Sequence, residues 1–322
     1  MLKFIVRRLL IMIPQLILLS IIIFLLAKSM PGDALTGQMA ANPNLDPQAF
    51  EELREKLGLN DPWYEQYVRW VGNLIQGDLG ISYIHSVKTS ELIGNRMANT
   101  FLLGLLTLIL TYLIAVPLGI IAGRYPNSWM DKLIVGYNFV SYAIPLFVFA
   151  LLMLFLFGYT LDWVPTGGSV DVQVESGTFD WYLSKLHHLI LPALSGALLS
   201  TVGTIQYLRS EIIDTKLKDF VKTARAKGTS ERKVYTRHIF RNSLLPVAAF
   251  LGYDIVFILG GSIFVERIFN YPGLGQLFVT SIMQRDYSVV NVLVMLFGFL
   301  SILGTLLSDI ILSIVDPRIR ID

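Results

Sequence analysis

Six apolar stretches dictate what this chain can fold into, because each is close to or beyond the roughly 20 residues that a helix needs to cross a bilayer. They are Leu9 to Ala27, Phe101 to Ala122, Leu133 to Leu161, Leu189 to Leu208, Leu244 to Phe264 and Val289 to Val315. Four contain no charged residue, while the fifth and sixth each hold one aspartate, Asp254 and Asp309. Charged residues make up only 16% of the 322, against about 25% in soluble domains, and they cluster between these stretches. The expectation is an all-α membrane protein with six transmembrane helices. The first stretch follows Lys3, Arg7 and Arg8, as a signal peptide would. Its apolar run is too long for one, and no small-x-small cleavage site follows, so it reads as an uncleaved span. The absence of cysteine excludes disulfides, thiol nucleophiles and thiolate metal sites.

Six spans put both termini on one side, and the positive-inside bias selects the cytoplasm. That side then holds 17 of the 26 Lys and Arg residues, ten of them between Arg209 and Arg241. Three regions follow: residues 1–100 as a first span plus an external helical segment, 101–315 as a five-span core, and 316–322 as a cytoplasmic tail.

Between the spans, the external segment Pro31 to Thr100 offers Asp46-Pro47 and Asp61-Pro62, each an N-cap followed by proline at the first helical position. Phe50, Leu53 and Leu57 share one face before Gly58, and Tyr64, Tyr67, Val68 and Val71 do the same before Gly72 and Gly77. Two short amphipathic helices lying on the membrane surface are expected. A second external segment, Asp162 to Lys185, reads as an irregular cap or short strands. On the other side, residues 209–243 form a basic loop. Asp219 can cap a helix Phe220 to Lys227 that Gly228 stops, and Ser230 can cap a second, Glu231 to Asn242. Such a loop suits anionic lipid as well as a protein partner.

The residues of that loop carry a resemblance. Asp219-Phe-Val-Lys-Thr-Ala-Arg-Ala-Lys-Gly228, then Arg237-His238 and Arg241-Asn242-Ser-Leu-Leu-Pro246, resembles the cytoplasmic coupling motif of ABC-transporter permeases. The general motif runs Glu-Ala-Ala, three residues, Gly, nine residues, Ile-x-Leu-Pro. Here Lys222-Thr223-Ala224 replaces Glu-Ala-Ala, and Pro246 stands 18 residues after Gly228. These departures look like the oligopeptide and dipeptide importer subfamily. Further matches are Arg7-Arg8-Leu-Leu with Pro31-Gly32-Asp33, Leu57 to Pro62 with Gly77 to Ser82, Val265 to Phe269 with Tyr271 to Gly275, and Asp316 to Arg320. They resemble the first of the two membrane subunits of such systems.

The resemblance implies a type I ABC importer permease in a bacterial or archaeal inner membrane. It would pair with a homologous second permease, two cytoplasmic ATPases and an external substrate-binding protein, and would import short peptides without binding nucleic acid. ATP and Mg would sit on the ATPases, since no Gly-Lys dipeptide exists here to build a phosphate loop. The ATPase-coupling residues carried over are Phe220, Lys222, Thr223, Ala224, Arg225, Ala226, Lys227 and Gly228. Ala224, Ala226 and Gly228 are small enough for close approach to an ATPase cleft, and the basic residues can meet an acidic rim.

Intramembrane charges are functional candidates. Asp254 reads either as a translocation-pathway residue or as a hydrogen-bonded structural group, and Asp309 as a residue near the inner interface. An alternative is an ion-coupled secondary transporter using both aspartates, although no inverted repeat is evident. A membrane-embedded hydrolase finds no Gly-x-Ser-x-Gly motif. His187-His188 reads as interfacial and no metal site is expected. Pro117, Pro145 and Pro192 are candidate kinks, and Gly119 and Gly123 a candidate helix contact.

Overall fold

The computed structural model describes residues 2–29, 47–56, 58–82, 84–244, 247, 251, 254–255, 258 and 262–315. Among these, helix α1 (Leu2–Ser29) is followed by α2 (Pro47–Lys56) and α3 (Trp63–Ile75). A two-residue hairpin, β1 (Ile81–Ser82) and β2 (Val87–Lys88), leads into α4 (Thr89–Arg124) and α5 (Trp129–Ala143). Helix α6 (Leu146–Met153) continues as a π-helical turn, Leu154–Thr160. Helices α7 (Phe179–Lys216) and α8 (Asp219–Ala226) come next. Helix α9 consists of Glu231–Lys233, a π-helical stretch Val234–Phe240, and Arg241–Ser243. Helices α10 (Ile263–Ile268), α11 (Leu274–Met283) and α12 (Tyr287–Val315) are the last of the described elements.

Among the described residues, four helices, α1, α4, α7 and α12, are long and apolar enough to cross a membrane. The pair α5 and α6 can form a fifth span, bent by 103° where Ile144 and Pro145 interrupt it. The expected span Leu133 to Leu161 is therefore broken, a far larger change than a kink, because proline lacks the N–H that would continue the ladder. Pro117 and Pro192 lie within unbroken α4 and α7. Most of the fifth expected span, Leu244 to Phe264, lies outside the described residues. So do Asp46, Pro31 to Asp33, Pro246 and Asp316 to Arg320.

The centre of the fold is the α4–α7 pair, and small residues explain how close it is. A Cβ on Gly119 would sit 3.1 Å from Leu208, and one on Gly123 2.7 Å from Ile212. Ala115, Ala122, Ala193 and Ala197 are fully buried along the same helices. In lipid, where apolar burial does not drive association, such backbone proximity supplies the packing. Helix α1 packs on α12, with Leu19 filling the space beside Gly298. Outward-facing Leu18, Leu113 and Phe139 are 60–71% exposed, as lipid-facing side chains must be in an isolated chain.

Several local expectations change. Pro62, not Asp61, occupies the N-cap of α3, and Asp61 pairs instead with Arg69. Tyr67 turns toward α1, whereas Tyr64 and Val68 point outward, so the expected common face of α3 is divided. The segment after Leu161 is irregular only to Thr178, whose hydroxyl accepts from the Trp181 N–H to cap α7. Helix α8 begins at Asp219 with Lys218 as N-cap, and Ser230 caps α9 by position without a side-chain hydrogen bond.

Candidate functional site

At the basic end of the α4–α7 pair, three interactions build a platform. Lys216, in the last turn of α7, donates to the carbonyls of Gly123 (2.7 Å) and Arg124 (2.6 Å). It thereby satisfies the C-terminus of α4, where orphan carbonyls and the helix dipole favour a cation. The Arg124 guanidinium lies 4.8 Å from the centre of the Tyr235 ring, and burial pushes the Tyr235 hydroxyl up to about 12. Arg209 on α7 grips Asp131 at the start of α5 with two parallel bonds, 2.7 and 2.8 Å. Asp131 also accepts from the Asn127 N–H at 2.7 Å. Planar guanidinium and carboxylate match in this geometry, so α5 and α7 are held in register.

Helix α8 stands on this platform. Val221 and Ala224, three residues apart and so on one face, are buried against Leu208, Ile212, Val234 and Ile239. Gly228 ends the helix with φ +72°, a left-handed conformation that glycine adopts without strain. Its N–H donates to the Arg225 carbonyl at 2.9 Å, and that of Thr229 reaches back to Ala224 at 3.2 Å. Arg225 closes the loop by pairing with Glu231 at 2.7 Å. Lys222 pairs with Asp219 at 2.9 Å and holds its carboxyl below the usual carboxylate range.

The sequence-selected residues therefore divide by orientation. Phe220, Lys222, Thr223, Arg225, Ala226, Lys227 and Gly228 are exposed, while Ala224 faces its own chain. An apolar ring, two small positions and several cations on a fixed short helix form a surface able to dock on an acidic or apolar cleft. Lys216, Arg124, Tyr235 and the Asp131–Arg209 pair were not singled out in the sequence. Each looked like an ordinary interfacial charge or aromatic, and their partners are far away in the chain.

The same packing reaches the membrane interior. Tyr112 of α4 packs against the cluster that buries Val221 and Ala224, and its hydroxyl donates to Asp254 at 2.6 Å. Asp254 opens on a cavity of about 430 Å³ between α4, α6 and α7, whose polar lining includes Thr107, Thr111, Ser200 and Thr204. Asp309 is elsewhere, paired with Arg8 of α1 at 3.1 Å. The two aspartates do not share a site. His187 bonds the Trp163 carbonyl (2.9 Å) and His188 the Ser184 carbonyl (2.8 Å), and no cluster of three metal-ligating side chains occurs among the described residues.

At the opposite end, α10 and the loop that follows it fold around buried Glu266. Its carboxylate accepts from Thr100 (2.9 Å) and from the Gln276 N–H in the first turn of α11 (3.0 Å). Arg96 holds Gln276 at 2.9 Å, and Thr100 accepts from the Leu274 N–H at 2.7 Å. Burial pushes the Glu266 carboxyl above its ordinary value, against the pull of these donors. A side chain at Gly273 would overlap the carboxylate, which accounts for glycine there.

Residues 115–321 match the family model described as binding-protein-dependent transport system inner membrane component. Residues 1–104 match that of the N-terminal part of such membrane components. The chain is 42% identical over 321 residues to the oligopeptide transport system permease protein AppB of Bacillus subtilis (strain 168), covering 99% of this chain and 100% of that one. It is 35% identical to the glutathione transport system permease protein GsiC of Escherichia coli O6:H1, and 34% to that of Escherichia coli K12, in each case across 99% of both chains. Neither likeness lends support to an ion-coupled carrier.

Proposed function

This chain belongs to the binding-protein-dependent transport system inner membrane components, the permeases of ABC importers, and from that membership we propose that it carries short peptides inward. Two relatives are named for oligopeptides and for glutathione, itself a small peptide, which supports this cargo class. The chain forms the pathway with a homologous second permease. Two ATPases hold ATP and Mg at the basic, cytoplasmic end, where both termini also lie, and an external binding protein delivers cargo. The chain itself has no ATPase site. Residues 1–100 make an accessory span and external segment, 101–315 the permease core with its coupling loop 209–243, and 316–322 the tail.

The observation that carries this reading is helix α8, exposed on one face and, through Val221 and Ala224, packed on the ends of the α4–α7 pair. Phe220, Lys222, Thr223, Arg225, Ala226, Lys227 and Gly228 meet the ATPase, and Ala224 anchors the helix from behind. ATPase closure then pushes α8 against α4 and α7 and biases two arrangements of the spans. Asp254, beside the cavity, faces the pathway.

The test is isolation of the tagged full-length chain from its native membrane in mild detergent, with mass spectrometry of what accompanies it. A second permease and two ATPases in stoichiometric amounts, with peptide uptake into vesicles that requires ATP, are expected. Recovery of the chain alone, still moving solute without ATP, would overturn the proposal.

A further inference from the structure

Helix α3 has three faces, and one of them is apolar without being covered. At 100° per residue, Glu65, Arg69, Asn73 and Gln76 form a polar face. Tyr67 and Trp70 face α1, their rings 5.5 and 5.9 Å from that of Phe24. Tyr64, Val68 and Ile75 line the third face and are 54, 69 and 80% exposed. In water that face would be polar, as its neighbour is.

Its contacts with α1 fix its depth. Twenty residues separate Arg8 from Lys28, about 30 Å of helix, which equals the hydrocarbon thickness of a bilayer. Gln66 accepts from Lys28 at 2.9 Å, while the next residue, Tyr67, bonds Ser20 through its hydroxyl at 2.8 Å. Those two points on α1 are about 12 Å apart along the helix. The backbone of α3 thus lies between them, below the level of Lys28, at the depth of about 5–10 Å that interfacial helices adopt. The lipid-facing side of α1, with Ile22 and Leu26 exposed, runs up to the same level. Trp63, Tyr64 and Trp70 add the aromatic residues that favour this zone.

We propose that the Tyr64–Val68–Ile75 face of α3 is embedded in the lipid of the leaflet at the Lys28 end, the outer one in the orientation given above. The helix lies along the membrane beside the first span and anchors the extramembrane segment to the bilayer independently of any protein partner.

The cysteine-free sequence allows a direct test. Single substitutions V68C and I75C on the apolar face, and E65C and N73C on the polar face, are introduced in the full-length chain. Each is labelled with a polarity-sensitive dye and reconstituted in phospholipid vesicles. Dye at V68C and I75C should be quenched by a nitroxide near carbon 5 of the acyl chain and be roughly tenfold less accessible to aqueous iodide than dye at E65C and N73C. Iodide quenching as strong at V68C and I75C as at the polar positions would overturn the proposal, and so would protection from both quenchers, which means protein covers the face. The quenching is read on the chain reconstituted alone and without any transport or ATP hydrolysis, so a failure here is separable from a failure of the transport reading.

Discussion

The hydroxyl of Tyr112 donates to Asp254 at 2.6 Å, while its ring packs on the cluster that also buries Val221 and Ala224. One side chain thus joins Asp254, which lines the cavity inside the membrane, to the core on which α8 rests. Coupling between two sites needs an element with two arrangements that both sites bias, and packed side chains are its usual carriers. A rigid aromatic with one polar end suits that position, because it moves as a unit with α4.

Replacing Tyr112 with Phe keeps the ring and removes the donor to Asp254. A hydrogen bond contributes about 0.5–1.5 kcal/mol, or up to roughly a tenfold effect. Peptide uptake by the reconstituted complex should fall by up to about tenfold, while ATP hydrolysis stays within about twofold. Parallel loss of both activities would mean that Tyr112 supports only the fold.

The two faces of α8 predict two different failures. Ala226→Glu places a negative charge on the exposed, basic face and should release the ATPases without changing thermal stability. Val221→Asp, at a position with no exposure, buries an unpaired carboxylate and should lower the melting temperature of the chain itself. Co-purification and thermal unfolding in detergent, measured on both variants, separate the outcomes. Ala226→Glu with its ATPases retained would move the contact off this helix.

Asp131 and Arg209 join α5 to α7 through a bidentate pair in which Asp131 is 2% exposed. Asp131→Ala would leave a partly buried guanidinium unpaired, at a cost of about 2–4 kcal/mol once the partial exposure of Arg209 is allowed for. The double variant Asp131→Ala with Arg209→Met removes both charges and should recover most of that loss. A double variant no more stable than Asp131→Ala would show that the pair does not hold the two helices.

The architecture was legible where one property repeats along the chain. Runs of apolar residues marked α1, α4, α7 and α12, and glycine at 228 marked the end of α8, because lipid and the left-handed backbone each admit few residue types. Pro145 marked where the third span breaks, but a proline alone does not say whether a helix bends by 20° or by the 103° found. The long-range polar pairs were not legible. Asp131 and Arg209 are 78 residues apart, Thr100 and Glu266 are 166, and nothing local distinguishes them from solvated polar side chains. Ala224 is small, as the motif needs, yet it is buried against its own chain, because which face of a short helix is covered is set by what lies behind it.

Glu266 makes a pH prediction with a definite sign. Burial raises its folded pKa above the ordinary value of 4.5, so between 4.5 and the raised value the folded chain binds more protons than the unfolded one. Its contribution to stability is therefore fully present below about pH 4.5 and is lost as pH rises to the folded pKa. Glu266→Gln cannot titrate and retains one acceptor for Thr100 or the Gln276 N–H. The slope of melting temperature against pH, measured for the detergent-solubilised chain, should be more negative for the wild type than for E266Q across that window. Buried Asp286, which accepts from Ser82 and is likewise pushed upward, contributes equally to both chains and cancels in the difference. Identical slopes would mean that the Glu266 carboxyl titrates as an ordinary solvated group, and that α11 is not held to α4 through a buried proton-binding site.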